Sequence, residues 1–291
     1  MEKDIKRSFI LGEEWVYFKI YTGIKTADTI LVDKLSVLFE KFLDDSLIDD
    51  WFFIRYYDPD FHIRLRLRLK NKENLLEVIT MLNFELNQLM ELNLLWKVQF
   101  DTYNRELERY GFSLIEESEF IFCQDSKMII KALKVLEDHN NPNLKWLYGL
   151  YIIDSFMTHF ELSIIEKKNL MENLKDVFGL EMGLDKTLKK QLSSKYHKHK
   201  IEIESFLNQS LDYESLYDLV KDKNNSINSS IRTIKESHLS FSNINDLISS
   251  HIHMKMNRLF SSNNRKTEFV CYQLLFNYYE SKIARIKYNK V

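Results

Sequence analysis

Arg64, Arg66 and Arg68 stand at every second position of FHIRLRLRLK, residues 61–70. Side chains on a strand alternate between faces. The three guanidinium groups therefore share a face with His62 and Lys70, spaced roughly 7 Å apart, with no acid between them. Phe61, Ile63, Leu65, Leu67 and Leu69 take the other face. A one-residue slip would drive the cations into the core, so the register is strongly specified. Arginine forks bind carboxylate or phosphate through paired N–H groups. The row is either an anion site or a charged, solvated sheet face, and the pattern alone leaves both open.

Two further stretches carry chemistry-bearing residues. DTYNRELERYG, residues 101–111, packs Arg105, Glu106, Glu108, Arg109 and Tyr110 together. Glu106 and Arg109 are neighbours on a helical turn. A carboxylate held beside arginine stays ionised, which suits a positioning or base role; the bland alternative is a surface ion pair of little worth. In SSHIHMKMNR, residues 249–258, a helix aligns Ser249, His253 and Asn257 on one stripe, with Ile248, Ile252, Met256 and Leu259 on another. Histidine suits proton transfer near neutrality, and Asn257 is placed to orient it. His251 and His253 point different ways on a helix and make a poor metal pair, as do His197 and His199. No Gly-rich phosphate loop, GxGxxG, CxxC, HExxH or GxSxG occurs, so no cofactor and no metal are expected.

The elements that position these residues follow from periodicity. Trp15–Tyr21 reads as a strand ending near Gly23. Thr26–Leu47 has apolar residues at helical spacing. Trp51–Lys70 forms a hairpin about Asp58-Pro59-Asp60, Asn74–Leu94 is helical, and Trp96–Asn104 alternates as a strand. The order β-α-β-β-α-β is that of a ferredoxin-like antiparallel sheet with helices on one face. The Leu65/Leu67/Leu69 side is the natural covered face. After Gly111 nearly everything has helical period, with breaks at Pro142, NNSINSS and SSNN. The expected fold is α+β: a sheet domain over residues 1–111 and a helical part over 112–291, together one functional domain.

Composition narrows the class. The 291 residues carry 41 basic and 43 acidic side chains, without the basic excess of a nucleic-acid binder. Cys123 and Cys271 are far apart with apolar neighbours, as in a reducing compartment. The N-terminus lacks the apolar core of a signal peptide, and no apolar run approaches a membrane span. A cytoplasmic location is expected.

WFFIRYYDPDFHIRLRL, DTYNRELERYG and HMKMNRLF, in this order and spacing, resemble the C-terminal elimination domain of class I lanthipeptide dehydratases. The same module occurs free-standing in the thiopeptide-type bacteriocin biosynthesis family. The resemblance runs from about Phe9 to Tyr279. It implies a lyase that removes glutamate from glutamylated serine or threonine of a ribosomal precursor peptide, leaving dehydroalanine or dehydrobutyrine. The family's motif residues carry over as Arg64, Arg66, Glu106, Arg109 and His253. Around them His62, Arg68, Tyr103, Asn257 and Arg258 are expected to bind substrate. Phe112 stands where the family often has a second glycine, and His251 sits beside the motif histidine. A chain of this length has no room for the large glutamylating domain, so a separate glutamylating subunit is the expected partner, besides leader and core of the precursor. The alternatives are a pyridine synthase joining two dehydroalanines in a formal [4+2] cycloaddition with leader expulsion, or a non-catalytic precursor-binding subunit. On the elimination reading, the cationic row is one wall of a glutamate-binding cleft and the helical half supplies His253.

Overall fold

The computed structural model of the chain describes residues 5–183, 185–237 and 244–288. The chain forms two compact units. The first takes Met1–Lys134, Ser226–Phe241 and Asn257–Ser262; the second takes Val135–Asn225, Ser242–Met256 and Asn263–Val291.

The sheet unit begins with a short strand β1 (Ser8–Phe9) and continues with β2 (Trp15–Thr22). Helix α1 (Thr26–Thr29) passes through a π-helical stretch, Ile30–Leu35, into α2 (Ser36–Asp44). The hairpin β3 (Ile48–Tyr57) and β4 (Phe61–Leu69) follows, with a cis Asp58–Pro59 peptide at its turn. Then come α3 (Leu75–Glu91), β5 (Leu95–Asp101) and β6 (Tyr103–Asn104). β6 pairs with β1, and the four long strands form an antiparallel sheet in the order β3-β4-β2-β5. This is the arrangement that the β-α-β-β-α-β pattern predicts.

Register divides the sheet into two faces. Leu65 and Leu67 of β4 pair with Phe18 and Val16 of β2 and with Phe53 and Trp51 of β3, and all six are buried. Helices cover this face: the Phe39 ring lies 4.5 Å from Trp51, and α3 turns Val78, Leu82, Leu86 and Leu89 inward. Each fully buried aliphatic side chain here contributes about 1.5–3 kcal/mol. The opposite face pairs Arg66 with Tyr17 and Phe52, and Arg64 with Lys19 and Ile54.

Helix α4 (Leu107–Tyr110) leads into α5 (Ile115–Glu137). The sequence pattern puts a boundary at residue 111, but most of α5 belongs with the sheet. The reason is packing: the Phe122 ring sits 5.6 Å from Phe52 and 5.0 Å from Tyr110, on the cationic side. α10 (Asn228–Glu236) also belongs to this unit.

The second unit is helical, built from α6 (Leu144–His159), α7 (Ile164–Glu181), α8 (Lys186–Leu207), α9 (Glu214–Ser226), most of α11 (Ile244–Leu259) and α12 (Asn264–Tyr288). Ser163 caps α7 in a reciprocal box with Glu166. Tyr151, Phe206 and Tyr217 form an aromatic core cluster. In its interior Lys167 bonds Asp154 at 2.7 Å and Thr158 at 2.6 Å, while the Tyr279 hydroxyl donates to Asp154. Cys123 and Cys271 are unbridged and buried.

Candidate active site

The cationic row is not uniform in depth. His62 is fully buried and Arg66 is 8% exposed, whereas Arg64 and Arg68 are half-buried. Arg68 pairs with Glu14. The His62 ring stacks 4.7 Å from Tyr21, and its Nδ1–H donates to the Asp60 carbonyl at 2.9 Å. Burial lowers the His62 pKa, which keeps Nε2 available to accept from Arg64 Nε at 3.2 Å. The Arg64 guanidinium lies 3.4 Å from the centre of the Tyr56 ring, a cation–π contact. Two cations of the row are thus held by an acid or by a histidine and a ring.

Arg66 differs. Its guanidinium sits among three rings, 4.5 Å from Tyr17, 4.9 Å from Tyr103 and 5.1 Å from Phe52. Among the described residues no carboxylate bonds it, and its buried Nε has no hydrogen-bond partner. Burial pushes its pKa down, partly countered by Tyr103, Tyr17 and Glu106. A buried guanidinium without an acid has kept its binding capacity for an anion.

The ERYG stretch forms a single turn pinned from beneath. Leu107 and Tyr110 are buried, and Gly111 closes the turn at φ 84°, where a side chain is disfavoured. This turns Glu106 and Arg109 outward, bonded to each other at 3.0 Å and both more than 45% exposed. Glu106 is near enough to raise the Arg66 pKa. The sheet unit therefore gathers Arg64, Arg66, Glu106 and Arg109.

Several expected substrate contacts have structural partners instead. The Tyr103 hydroxyl donates to Glu119 at 2.7 Å. Asn257 does not orient a histidine: its side-chain carbonyl accepts from the Arg55 N–H and its amide donates to the Arg55 carbonyl, both at 2.8 Å. It closes the outer edge of β3, as does Ser126, which accepts from Phe53 N–H at 3.2 Å. Arg258 is fully buried, donates to Ser126 Oγ at 3.1 Å, and its carbonyl accepts from Arg55 Nε at 3.0 Å. Burial lowers the Arg258 pKa to about 10. Together with the Arg68–Glu14 and His62–Asp60 contacts, these side chains build the frame around the row.

In the helical unit, α11 presents its two histidines differently. His251 is fully buried, its ring 5.7 Å from Phe156. His253 is 28% exposed, and its Nδ1 lies 2.8 and 3.0 Å from the two Glu268 oxygens. Glu268 is fully buried in α12 and also accepts from the Tyr272 hydroxyl. A carboxylate oxygen accepts, so Nδ1 carries a hydrogen, and in the neutral tautomer that this selects, Nε2 is the nitrogen with the lone pair. This is the geometry of a histidine base oriented by a buried acid. Sequence reading missed Glu268. Its signal is a carboxylate on the stripe Glu268, Tyr272, Leu275, Tyr279, whose other members are apolar or aromatic.

Among the described residues there is no group of three or more His, Cys, Asp or Glu side chains able to hold a metal, and no helix is long and apolar enough to cross a membrane.

The subtilin biosynthesis protein SpaB of Bacillus subtilis is 26% identical over 253 residues, covering 86% of this chain and 24% of that protein. The nisin biosynthesis protein NisB of Lactococcus lactis subsp. lactis is 29% identical over 186 residues, covering 59% and 18%. This chain spans about a quarter or less of the length of these relatives. Among solved structures, the tRNA-dependent lantibiotic dehydratase MibB from Microbispora sp. 107891 superposes with a TM-score of 0.75 at 19% identity, over 94% of this chain and 28% of that one. The pyridine synthase TbtD from thiomuracin biosynthesis superposes with a TM-score of 0.65 at 12% identity, over 92% and 98%. The family profile described as "Lantibiotic biosynthesis dehydratase C-term" matches residues 15–279, and the chain accordingly belongs to the lantibiotic biosynthesis dehydratase C-terminal family.

Proposed function

We propose that this domain is a lyase acting on a ribosomally made precursor peptide, from which it eliminates glutamate esterified to serine or threonine. The observation that carries the reading is Arg66: a buried guanidinium ringed by Tyr17, Phe52 and Tyr103 with no carboxylate bonded to it among the described residues. The leaving group of the reaction is a carboxylate, which such a cation is built to receive. His253, with Nδ1 held by Glu268, takes the α-proton at Nε2. The Cα–H electrons form the Cα=Cβ bond as the Cβ–O bond breaks, and the ester oxygen departs on glutamate. Negative charge that builds on the peptide carbonyl is met by an arginine of the Arg64, Arg66, Arg109 set. Glu106 holds Arg109 in place. The glutamyl ester comes from a separate glutamylating activity.

The test is mass spectrometry of a peptide bearing a glutamyl-serine ester after incubation with the protein. Loss of glutamate and appearance of dehydroalanine are expected. Retention of the ester, under conditions where an established elimination domain clears it, overturns the reading. The likeness to TbtD over nearly all of that chain motivates a second substrate, a peptide already carrying dehydroalanines. Formation of a six-membered nitrogen heterocycle from it would replace elimination by cycloaddition. Inertness towards both peptides, with binding retained, would leave a precursor-binding role.

A further inference from the structure

We propose that the outer edge of β5 binds an extended stretch of the substrate peptide as a fifth strand of the sheet. The inference rests on the reading of the domain as one that acts on a glutamylated peptide. The two edges of the sheet are treated differently. On β3, side chains answer the outward backbone groups: Ser126 takes the Phe53 N–H, and Asn257 takes both the N–H and the carbonyl of Arg55. β5 pairs with β2 alone. Among the described residues no strand and no side chain bonds its other edge. From Trp96 to Asp101 every residue is exposed or half-buried.

Long edge strands are usually blunted by proline, by bulges or by charges aimed along the edge. β5 has no proline, and its register shift lies at one end, opposite Tyr21/Thr22. Its lysine, Lys97, leans back over the Tyr21 ring at 4.9 Å. An open ladder of N–H and C=O groups is matched by an extended polypeptide and by little else.

The side chains nearby say which polypeptide. Lys97, Gln99 and Asp101 pair with Tyr21, Lys19 and Tyr17, so they share the face that carries Arg64 and Arg66. A strand added to β5 points every second side chain onto that face. Strand spacing places it about 14 Å from the β4 backbone, a gap that a glutamyl-ester side chain and an arginine span between them. The Arg66 guanidinium lies 4.5 Å from the Tyr17 ring of the intervening strand. Lys19 and Lys97 lie along the way, and the Lys19 ammonium is bonded to Asp101. On the opposite face Phe100, against Phe18, is 42% exposed. The peptide favoured by this edge therefore alternates: the glutamylated residue faces the cations, and its neighbours on either side are apolar.

Two measurements on the intact chain test this. The first is amide hydrogen exchange with and without a glutamylated peptide. Alternate amides of β5 should slow on peptide addition, while those of β3 stay as they were. The second is binding of peptides N-methylated at one residue at a time. Removing a ladder hydrogen bond should weaken binding about threefold to tenfold, at every second position. Protection confined to other elements, or losses without a two-residue period, overturns the proposal. So does protection of β5 before peptide is added that rises with protein concentration, since a second copy then holds the edge. Elimination from a single blocked glutamyl-serine residue, too short to form a strand, reports on the chemistry separately. It fails if the elimination reading fails, and it proceeds if only the strand pairing is wrong.

Discussion

Arg66 and Arg105 are both buried arginines beside Tyr103, and they are built in opposite ways. Arg105 is 4% exposed and grips Glu119 with two N–H groups at 2.8 and 2.6 Å. A third N–H reaches the Lys6 carbonyl at 3.1 Å. Burial pulls its pKa down, but the Glu119 hydrogen bonds and charge outweigh this and leave it raised. Arg66 has rings where Arg105 has an acid, and burial leaves its pKa lowered. One arginine completes a closed network that holds β6 to α5. The other bears the cost of desolvation among three rings, with no carboxylate bonded to it among the described residues. Of two buried cations, the one without a carboxylate is the one that the proposed elimination assigns to an external anion.

Four substitutions bear on that contrast, and the largest effect on the folded state belongs to Arg105. Arg105→Ala strands the Glu119 carboxylate in the interior and should destabilise the fold by about 3–5 kcal/mol, read as a lowered urea midpoint. A small loss would erase the distinction. Arg66→Leu removes a buried charge without orphaning another, so stability should hold or rise. Elimination should nevertheless fall by about 10²–10³, the loss typical of one transition-state donor, measured as persistence of the glutamylated peptide. Asn257→Ala leaves the Arg55 N–H and carbonyl unanswered and should cost about 1–3 kcal/mol in thermal or urea unfolding. Arg68→Ala breaks only the half-exposed pair with Glu14 and should change stability by about 0–1 kcal/mol. If Arg68 proved as costly as Arg105, depth would not be what separates the arginines of this sheet.

The strand and helix order was legible because period-two and period-three-to-four patterns are local. Leu65, Leu67 and Leu69 announce a covered face, and Leu82, Leu86 and Leu89 announce a helix on it. The depth of each cation was not legible, because it depends on partners far along the chain. Glu14 answers Arg68 across 54 positions, and nothing in RLRLR separates Arg66 from its neighbours. The histidine was found from its helical stripe, but its hydrogen-bond partner was not. Asn257 is near in sequence but serves Arg55, while Glu268 lies 15 residues on in another helix. The reach of the sheet unit past residue 111 was illegible for a similar reason. α5 reads as helix like all that follows, and the contacts that tie it to the sheet, Phe122 against Phe52, Ser126 on Phe53 N–H and Glu119 with Arg105, join residues far apart in sequence.

The clamp on Arg55 also has a history during synthesis. Asn257 is made 202 residues after the backbone it seals. At the usual 5–20 residues per second, β3 emerges from the ribosome roughly 10–40 s before its closure can form. Over that interval the Arg55 N–H and C=O are open to any other unpaired strand, on the nascent chain or off it. A nascent chain halted short of Asn257 would hold a hairpin with an unsealed margin. The late-made HMKMNR stretch thus completes the protection of the β3 edge from mispairing, and a chaperone that shields extended segments would matter most for that edge before the stretch is made.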